Sequence, residues 1–394
     1  MQIFKYPKKF ILRMENNPEV SVVLPCLNEE ATIGACIKNI KNVFKKENIN
    51  GEIIVSDNGS TDNSVKIAKS LNVRVIHQKL RGYGAACLKG VHEARGKFIV
   101  MGDSDATYDF LETPALLKPL KNGYDFVIGT RFKGRIKKGA MPWAHKYIGN
   151  PFLSFIVNRF FKTNLSDVHC GFRAFTKEAF ERMNLKTTGM EFASEMVISA
   201  SKNKLKICEI PISYNKRKGM SKLKSFSDGW RHLRFILMYS PTYLFLVPGL
   251  FLFLTGLISI VILKQGPLLI SGFNIDVHFM LFGSLLTLLG YHIVTIGLYA
   301  RTYAITIGFE KHDSLIDFIA KYISLERGMV IGLAVFLIGL FISLKILFNW
   351  IHGGFSSMNE IRNVIFSITI LIVGIQTIFS SFFLSMLLVE KDRL

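Results

Sequence analysis

The 394-residue sequence predicts an α/β domain with a mostly parallel sheet and flanking helices, followed by a C-terminal bundle of four transmembrane helices. Three observations predict it. Short apolar, β-rich runs alternate with helix-patterned segments through residues 20–130, the rhythm of βαβ units. Long apolar stretches follow after residue 240, each of about 20 residues or more, enough at about 1.5 Å per residue to cross a hydrocarbon core of about 30 Å. Charge divides the chain at the same place. Residues 1–240 hold 40 of the 49 Lys and Arg and 21 of the 29 Asp and Glu, so nearly all of the net +20 belongs to the first part.

Strands are expected at Val20–Leu24, Glu52–Ser56, Val73–His77, Lys97–Met101 and Tyr124–Gly129, each short and bounded by turn residues. Helices are expected between them, at about Glu29–Lys46, Asn63–Leu71, Tyr83–Ala94 and Glu112–Lys121. Pro25 is expected to end the first strand. Asn28, ahead of Glu29 and Glu30, and Asp62, ahead of Ser64, are expected to cap the helices that follow. After Thr130 the pattern changes, and Arg131–Gly139 reads as a flexible basic stretch. Met141–Lys162 carries Trp143, several Phe and scattered basic residues. It reads as an interfacial pair of amphipathic helices broken at Asn150-Pro151, with an ordinary core helix as the alternative. Ser225–Tyr239 is a second candidate for the membrane surface.

The spans fall at about Tyr243–Leu263, Val277–Tyr299, Val330–Trp350 and Val364–Leu388. The middle connection carries Arg301, Lys311, Lys321 and Arg327, whereas the outer two carry Lys264 and Arg362, so the positive-inside bias places the middle loop, the basic domain and both termini in the cytoplasm. The implied division is a soluble domain over 1–224 with an interfacial region at about 131–162, a juxtamembrane amphipathic helix at 225–242, and a membrane domain over 243–394. Polar residues at membrane depth are few, mainly His292, Lys345 and Gln376, which speaks for an anchor over a transport pathway and leaves homo-oligomerisation open. Five cysteines, Cys26, Cys36, Cys87, Cys170 and Cys208, form no CxxC pair and read as reduced thiols. The N-terminus is basic without a sustained apolar core and does not read as a cleavable signal peptide. The positive charge points to a phosphate-bearing partner or membrane lipids; no nucleic-acid motif accompanies it.

Asp103-Ser104-Asp105 follows directly on the apolar run Lys97–Gly102, at a strand end where open α/β sheets bind ligands. Two crowded acids repel unless a cation lies between them. A few carboxylates plus phosphate oxygens suit Mg²⁺, so the pair points to a metal-bound diphosphate, with a solvated acidic turn as the alternative. Asp57 ends the second strand within a run of turn formers and could accept from a base N–H. Arg81-Gly82-Tyr83-Gly84-Ala85-Ala86 opens a helix whose N–H groups would attract phosphate, but it follows the third strand and lacks the last glycine of a dinucleotide fingerprint.

Taken in order, PCLNEE, SDNGSTDNS, RGYGAACLKG, MGDSDATYDF, GTRF, HCGFRAF and YNKRKGMSKL resemble glycosyltransferase family 2, and more narrowly its polyprenyl-phosphate (dolichyl-phosphate) hexosyltransferase branch. The resemblance covers about residues 18–225, and the membrane region in general layout. It implies a nucleotide-sugar-binding GT-A fold, a UDP- or GDP-hexose donor, Mg²⁺ or Mn²⁺, inversion at the anomeric carbon and a polyprenyl phosphate acceptor. Carried over by position, Pro25, Asn28 and Glu29 edge the nucleotide pocket and Asp57 contacts the base. Asp103 and Asp105 bind the metal and the donor diphosphate, with Ser104 between them where relatives usually have Ala; Thr107 stands where they often have Gln or Ser. Arg131 and Arg173 would meet the acceptor phosphate, and Arg217, Ser221 and Lys222 come from a mobile loop that closes over the diphosphate. Glu191 ranks behind Asp105, Arg131 and Arg173 as a catalytic candidate.

Elementary chemistry agrees with these roles. The leaving nucleoside diphosphate gains negative charge, which a metal and Arg or Lys groups stabilise. A phosphate monoester has a second pKa of about 6 and is largely dianionic at neutral pH, so it needs no strong base. A sugar hydroxyl would need one, and Glu191 and Glu195 are the candidates. A processive polysaccharide synthase is the alternative enzyme, but its Q-x-x-R-W signature is not matched by Gly229-Trp230-Arg231-His232. A lipid-sugar flippase with a non-catalytic head is disfavoured by the intact acidic pair.

Overall fold

The structure, a computed structural model, describes residues 17–218, 225–270, 272–306, 316, 325–355 and 360–391. The chain divides into two compact units between Ile236 and Leu237.

The first unit is built on a seven-stranded sheet of order β3-β2-β1-β4-β6-β5-β7. Its strands are β1 (Val20–Cys26), β2 (Gly51–Asp57), β3 (Arg74–His77), β4 (Phe98–Met101), β5 (Phe126–Ile136), β6 (Arg173–Thr176) and β7 (Ile207–Tyr214). Pairing is parallel except at β6, which runs against both β4 and β5. Helices α1 (Ile33–Lys46), α2 (Ser64–Ser70), α3 (Tyr83–Glu93) and α4 (Thr113–Lys121) form the crossovers. Later come α5 (Asn150–Phe161), α6 (Lys177–Met183), α7 (Phe192–Lys202) and α8 (Ser225–Met238). Val22, Leu24, Ile54 and Val100 on the central strands are fully buried, as expected for strands covered on both faces. β1 lies between β2 and β4, so the strand order reverses there and opens a crevice at the β1 and β4 ends.

Four local expectations give way. Strand β1 continues through Pro25. Its register with β4 stops at Val23↔Met101, so no ladder bond is asked of the proline nitrogen on that side, and the Pro25 carbonyl accepts from Ser104 Oγ at 2.7 Å. Helix α1 begins at Ile33 and is not capped by Asn28. Asn28 has φ +52° and accepts from Thr61 N at 2.7 Å, while Glu30 accepts from Asn63 N at 2.9 Å, so these residues brace the first βα turn against the second. The basic stretch after Thr130 is strand: β5 runs on to Ile136 beside β7, with a register shift between Thr130 and Arg135. Residues 143–161 form one helix with no break at Asn150-Pro151. A π-turn at His145–Gly149, closed by Asn150 N on His145 O, widens the helix just ahead of Pro151 and accommodates its ring.

The second unit has four helices long and apolar enough to cross a membrane: Thr242–Leu263, Val277–Thr306, Leu325–His352 and Ile361–Leu388. The first contains α9 (Val247–Leu263) and opens with a π-turn at Thr242–Leu246 ahead of Pro248, the solution already used at Pro151. It packs against α10 (Val277–Thr306), and α11 (Leu325–His352) packs against α12 (Ile361–Lys391). Small residues allow close approach: a Cβ on Gly290 would lie 2.2 Å from Phe253 N. A hairpin, β8 (Leu268–Ile270) and β9 (Phe273–Ile275), joins α9 to α10, and Asp276 after it pairs with Arg362. Lys311 and Lys321 lie outside the described residues.

Candidate active site

The ends of β1, β2 and β4 open into a cleft of about 910 Å³. The turn after β4 presents the acidic pair there. Ser104 is buried; its hydroxyl donates to Pro25 O, and its carbonyl accepts from Thr32 Oγ1 at 2.8 Å, latching the turn to β1 and to the start of α1. Asp105 Oδ1 accepts from Thr107 N at 3.0 Å and from Thr107 Oγ1 at 2.6 Å, so Thr107 orients one carboxylate. Asp105 Oδ2 lies 3.4 Å from Arg217 Nη1, and Arg217 Nη2 donates to Glu29 Oε1 at 2.6 Å. Asp103 is less well served. Its Oδ1 is buried without a hydrogen-bond partner, and burial, followed by repulsion from Asp105, pushes the carboxyl up to about 7.

Arg131 ends the buried part of β5 and is 7% exposed. It donates from Nε to Asp167 Oδ2 at 2.6 Å, from Nη2 to Asp167 Oδ1 at 2.7 Å, and from its backbone N to Oδ2 at 3.1 Å. Asp167 is fully buried, and its N donates to Glu209 Oε1 at 3.1 Å; the same oxygen accepts from Ser166 N at 2.7 Å and from Ser166 Oγ at 2.8 Å. Burial alone disfavours charge on Arg131, but Asp167 outweighs it and holds the pKa well above the usual arginine value. Asp167 and Glu209 escape sequence reasoning because their partners lie 36 and 43 residues away along the chain. The available signal was the position of Asp167 just ahead of the HCGFRAF motif.

Pro25, Glu29, Asp103, Ser104, Asp105, Arg131 and Arg217 therefore meet on one cleft, whereas Asn28, Asp57, Arg173 and Glu191 are not among its lining residues. Asp57 is buried in its turn. Burial opposes its ionisation, but Ser60 N, His77 Nδ1 and Gly59 N, at 3.0, 3.0 and 3.2 Å, hold the carboxyl below the usual range. Arg173 is fully buried and donates to the carbonyls of Cys170, Ala193 and Val168 at 2.7, 2.7 and 2.9 Å. It ties β6 to α7 and to the loop before it, in place of the expected contact at the cleft. Glu191 precedes α7, and Met190 and Ala193 line the cleft instead. Glu195 accepts from Lys186 N, Thr187 N and Thr187 Oγ1. The glycine-rich start of α3 is also corrected as a phosphate cradle: Gly84 N donates to Gly189 O and Ala85 N to Thr188 O, so these first-turn donors are already capped by protein. A Cβ at Gly82 would sit 2.1 Å from Thr188 O, which explains the glycine by close packing. Ser221 and Lys222 lie outside the described residues.

The acidic corner fits a divalent cation. Like charges crowd together, and one carboxylate oxygen has no partner. Such an open pair suits Mg²⁺ or Mn²⁺, which would complete its shell with phosphate oxygens and water.

Residues 21–183 match glycosyl transferase family 2, and residues 298–388 match the glycosyltransferase family 2 C-terminal transmembrane region. The low-salt glycan biosynthesis hexosyltransferase Agl6 of Haloferax volcanii is 39% identical over 94% of this chain and 89% of that protein. This chain belongs to glycosyltransferase family 2. A dolichyl-phosphate hexose transferase of the same organism is 30% identical over 54% of this chain and 89% of its own length. Among solved structures, glucosyl-3-phosphoglycerate synthase from Mycobacterium tuberculosis, in complex with Mn²⁺, UDP and glucosyl-3-phosphoglycerate, covers 61% of this chain and 86% of its own at 21% identity and a TM-score of 0.47. As a family 2 glycosyltransferase with four apolar C-terminal helices, the protein is a membrane enzyme that transfers a sugar, and its first unit has the mostly parallel, helix-flanked sheet of a GT-A domain.

Proposed function

We propose that this enzyme is an inverting, metal-dependent transferase that moves one hexose from a UDP- or GDP-sugar to a polyprenyl phosphate, giving a β-linked lipid-phosphate sugar. The observation that carries the reading is one cleft lined by both the Asp103–Asp105 pair and the clamped Arg131. The acids suit a metal-bound diphosphate; the fixed guanidinium suits a second phosphate. The naming of a relative for dolichyl phosphate supports the same acceptor.

In this mechanism an acceptor phosphate oxygen, steadied by Arg131, attacks the anomeric carbon. The bond from that carbon to the diphosphate oxygen breaks, and its electron pair leaves with the nucleoside diphosphate. When bound, the divalent cation would neutralise charge on that leaving group. Arg217 is placed to exchange Asp105 and Glu29 for diphosphate oxygens as the charge grows. A dianionic phosphate nucleophile needs no base, in keeping with a cleft that neither Glu191 nor Glu195 lines. The helix over 143–161 exposes Trp143, Tyr147, Phe152 and Phe155, which supports seating the catalytic unit on a membrane surface, cytoplasmic by the positive-inside bias.

The test is the full-length protein in nanodiscs with Mn²⁺, polyprenyl phosphate and labelled UDP-glucose or GDP-mannose. Acceptor-dependent, acid-labile label in the lipid fraction is the expected result. No lipid label with any common nucleotide sugar would overturn the reading, and a soluble polymer would favour a processive synthase.

A further inference from the structure

The HCGFRAF motif yields a different cleft residue from the one its arginine suggested. Arg173 turns into the core, but His169, four residues earlier, lines the cleft. His169 Nε2 lies 3.1 Å from Ser194 Oγ on α7, and the same hydroxyl lies 2.9 Å from His232 Nδ1 on α8. The two imidazoles meet edge to face, with centroids 4.6 Å apart. The other ring nitrogen of His169, Nδ1, is buried and has no hydrogen-bond partner.

We propose that His169 is a second ligand for the acceptor phosphate, offering Nδ1–H to a phosphate oxygen while Ser194 and His232 accommodate that tautomer; this rests on the polyprenyl-phosphate reading above. Ser194 has one hydroxyl hydrogen to share between two imidazoles. When His232 Nδ1–H donates to Ser194 and Ser194 donates to His169 Nε2, a neutral His169 must carry its hydrogen on Nδ1. In the opposite arrangement Nδ1 is a bare acceptor. A phosphate oxygen accepts only, so its arrival selects the first arrangement: one proton passes from His169 Nε2 through Ser194 to His232 Nδ1, His169 takes up a proton from water at Nδ1 and His232 releases one to water from Nε2, and both rings end neutral.

The position fits this ligand. His169 lies on the loop whose Asp167 clamps Arg131. Two residues further along, a Cβ on Gly171 would lie 3.1 Å from Asp103 Oδ2, so the loop reaches from the Arg131 clamp to the acidic pair. Burial, then His232, Arg173 and Arg131, hold the His169 pKa well below the usual value, so the ring supplies a donor without a second buried charge beside Arg131.

The test compares His169→Gln and His169→Asn in the full-length enzyme. A Gln amide overlays Nε2, keeping the Ser194 bond but leaving nothing at Nδ1; an Asn amide returns a donor near Nδ1. H169Q should raise the KM for polyprenyl phosphate roughly tenfold or more, the scale of a lost hydrogen bond to a charged group, with Mn²⁺–UDP affinity by calorimetry unchanged. H169N should restore that KM to within a few-fold. An unchanged acceptor KM in H169Q, a loss shared by the donor KM (a sugar contact), or a lowered Tm without rescue by H169N (a packing role) would each overturn the inference alone. Failure of the wild type to transfer to polyprenyl phosphate would overturn the underlying reading and the inference with it.

Discussion

On the β5 side of the cleft, Arg131 gives three hydrogen bonds to a fully buried Asp167 that Glu209 holds in turn. On the β4 side, Asp103 keeps a carboxylate oxygen with no partner, and Asp105 is met by Arg217 at 3.4 Å. The first arrangement is completed by the protein before substrate arrives. The second is left for a ligand to complete, and its cost in the free enzyme appears as the raised Asp103 pKa. On the proposed function, the preformed Arg131 cation would fix where the acceptor phosphate sits, and the unfinished acidic corner would make donor binding depend on the metal.

Asp103→Asn should separate the two sides most sharply. Transfer should fall by roughly 10³-fold or more in a steady-state assay, because the cation loses a ligand. The apo-protein should show an equal or higher Tm at neutral pH, because an unfavourable buried carboxylate is gone; a large drop in Tm would make Asp103 a structural residue. Asp167→Ala should do the reverse. Leaving Arg131 buried without its partner should cost about 3–5 kcal/mol in denaturant unfolding, with a raised acceptor KM and Mn²⁺–UDP affinity nearly unchanged.

The pH response gives a third test. The folded Asp103 pKa of about 7 lies above the ordinary aspartate value of 3.8, so the folded state holds this proton more tightly than the unfolded chain. Its contribution to apo stability is fully present below about pH 4 and is lost as pH rises through about 7. Metal binding needs the ionised form, so Mn²⁺ affinity measured by electron paramagnetic resonance should fall about tenfold per pH unit below about 7 and level off above it. The smallest effect is expected from Arg217→Gln. Removing the guanidinium beside Asp105 and Glu29 should tighten Mn²⁺ alone by about two- to fivefold, the scale of one such ion pair, while weakening UDP binding in its presence.

Much of the site could be read from the chain because it is local. Asp103-Ser104-Asp105 follows an apolar run with no interruption, so its place at a strand end comes from the period of that run alone. Arg173 shows where this reasoning stops. In β6 alternate residues face opposite layers, and its register against β4 and β5 turned the guanidinium inward to three carbonyls. The start of α3 failed for a related reason: glycine before a helix signals close approach, but only packing reveals that residues 188 and 189 make it. Pro151 looked like a break because a proline removes one α-helical bond, and a π-turn ahead of it, like the one ahead of Pro248, lets the helix continue.

Residue order was sufficient for the alternating sheet domain, the four apolar spans, the basic excess of the first part and the acid pair, since each depends on periodicity or composition within a short window. Which cation stands at the cleft, what holds it and which histidine nitrogen is left unpartnered were settled by folding. Those facts come from contacts between strands and helices tens of residues apart, and a buried charge takes its value from neighbours that linear spacing does not name.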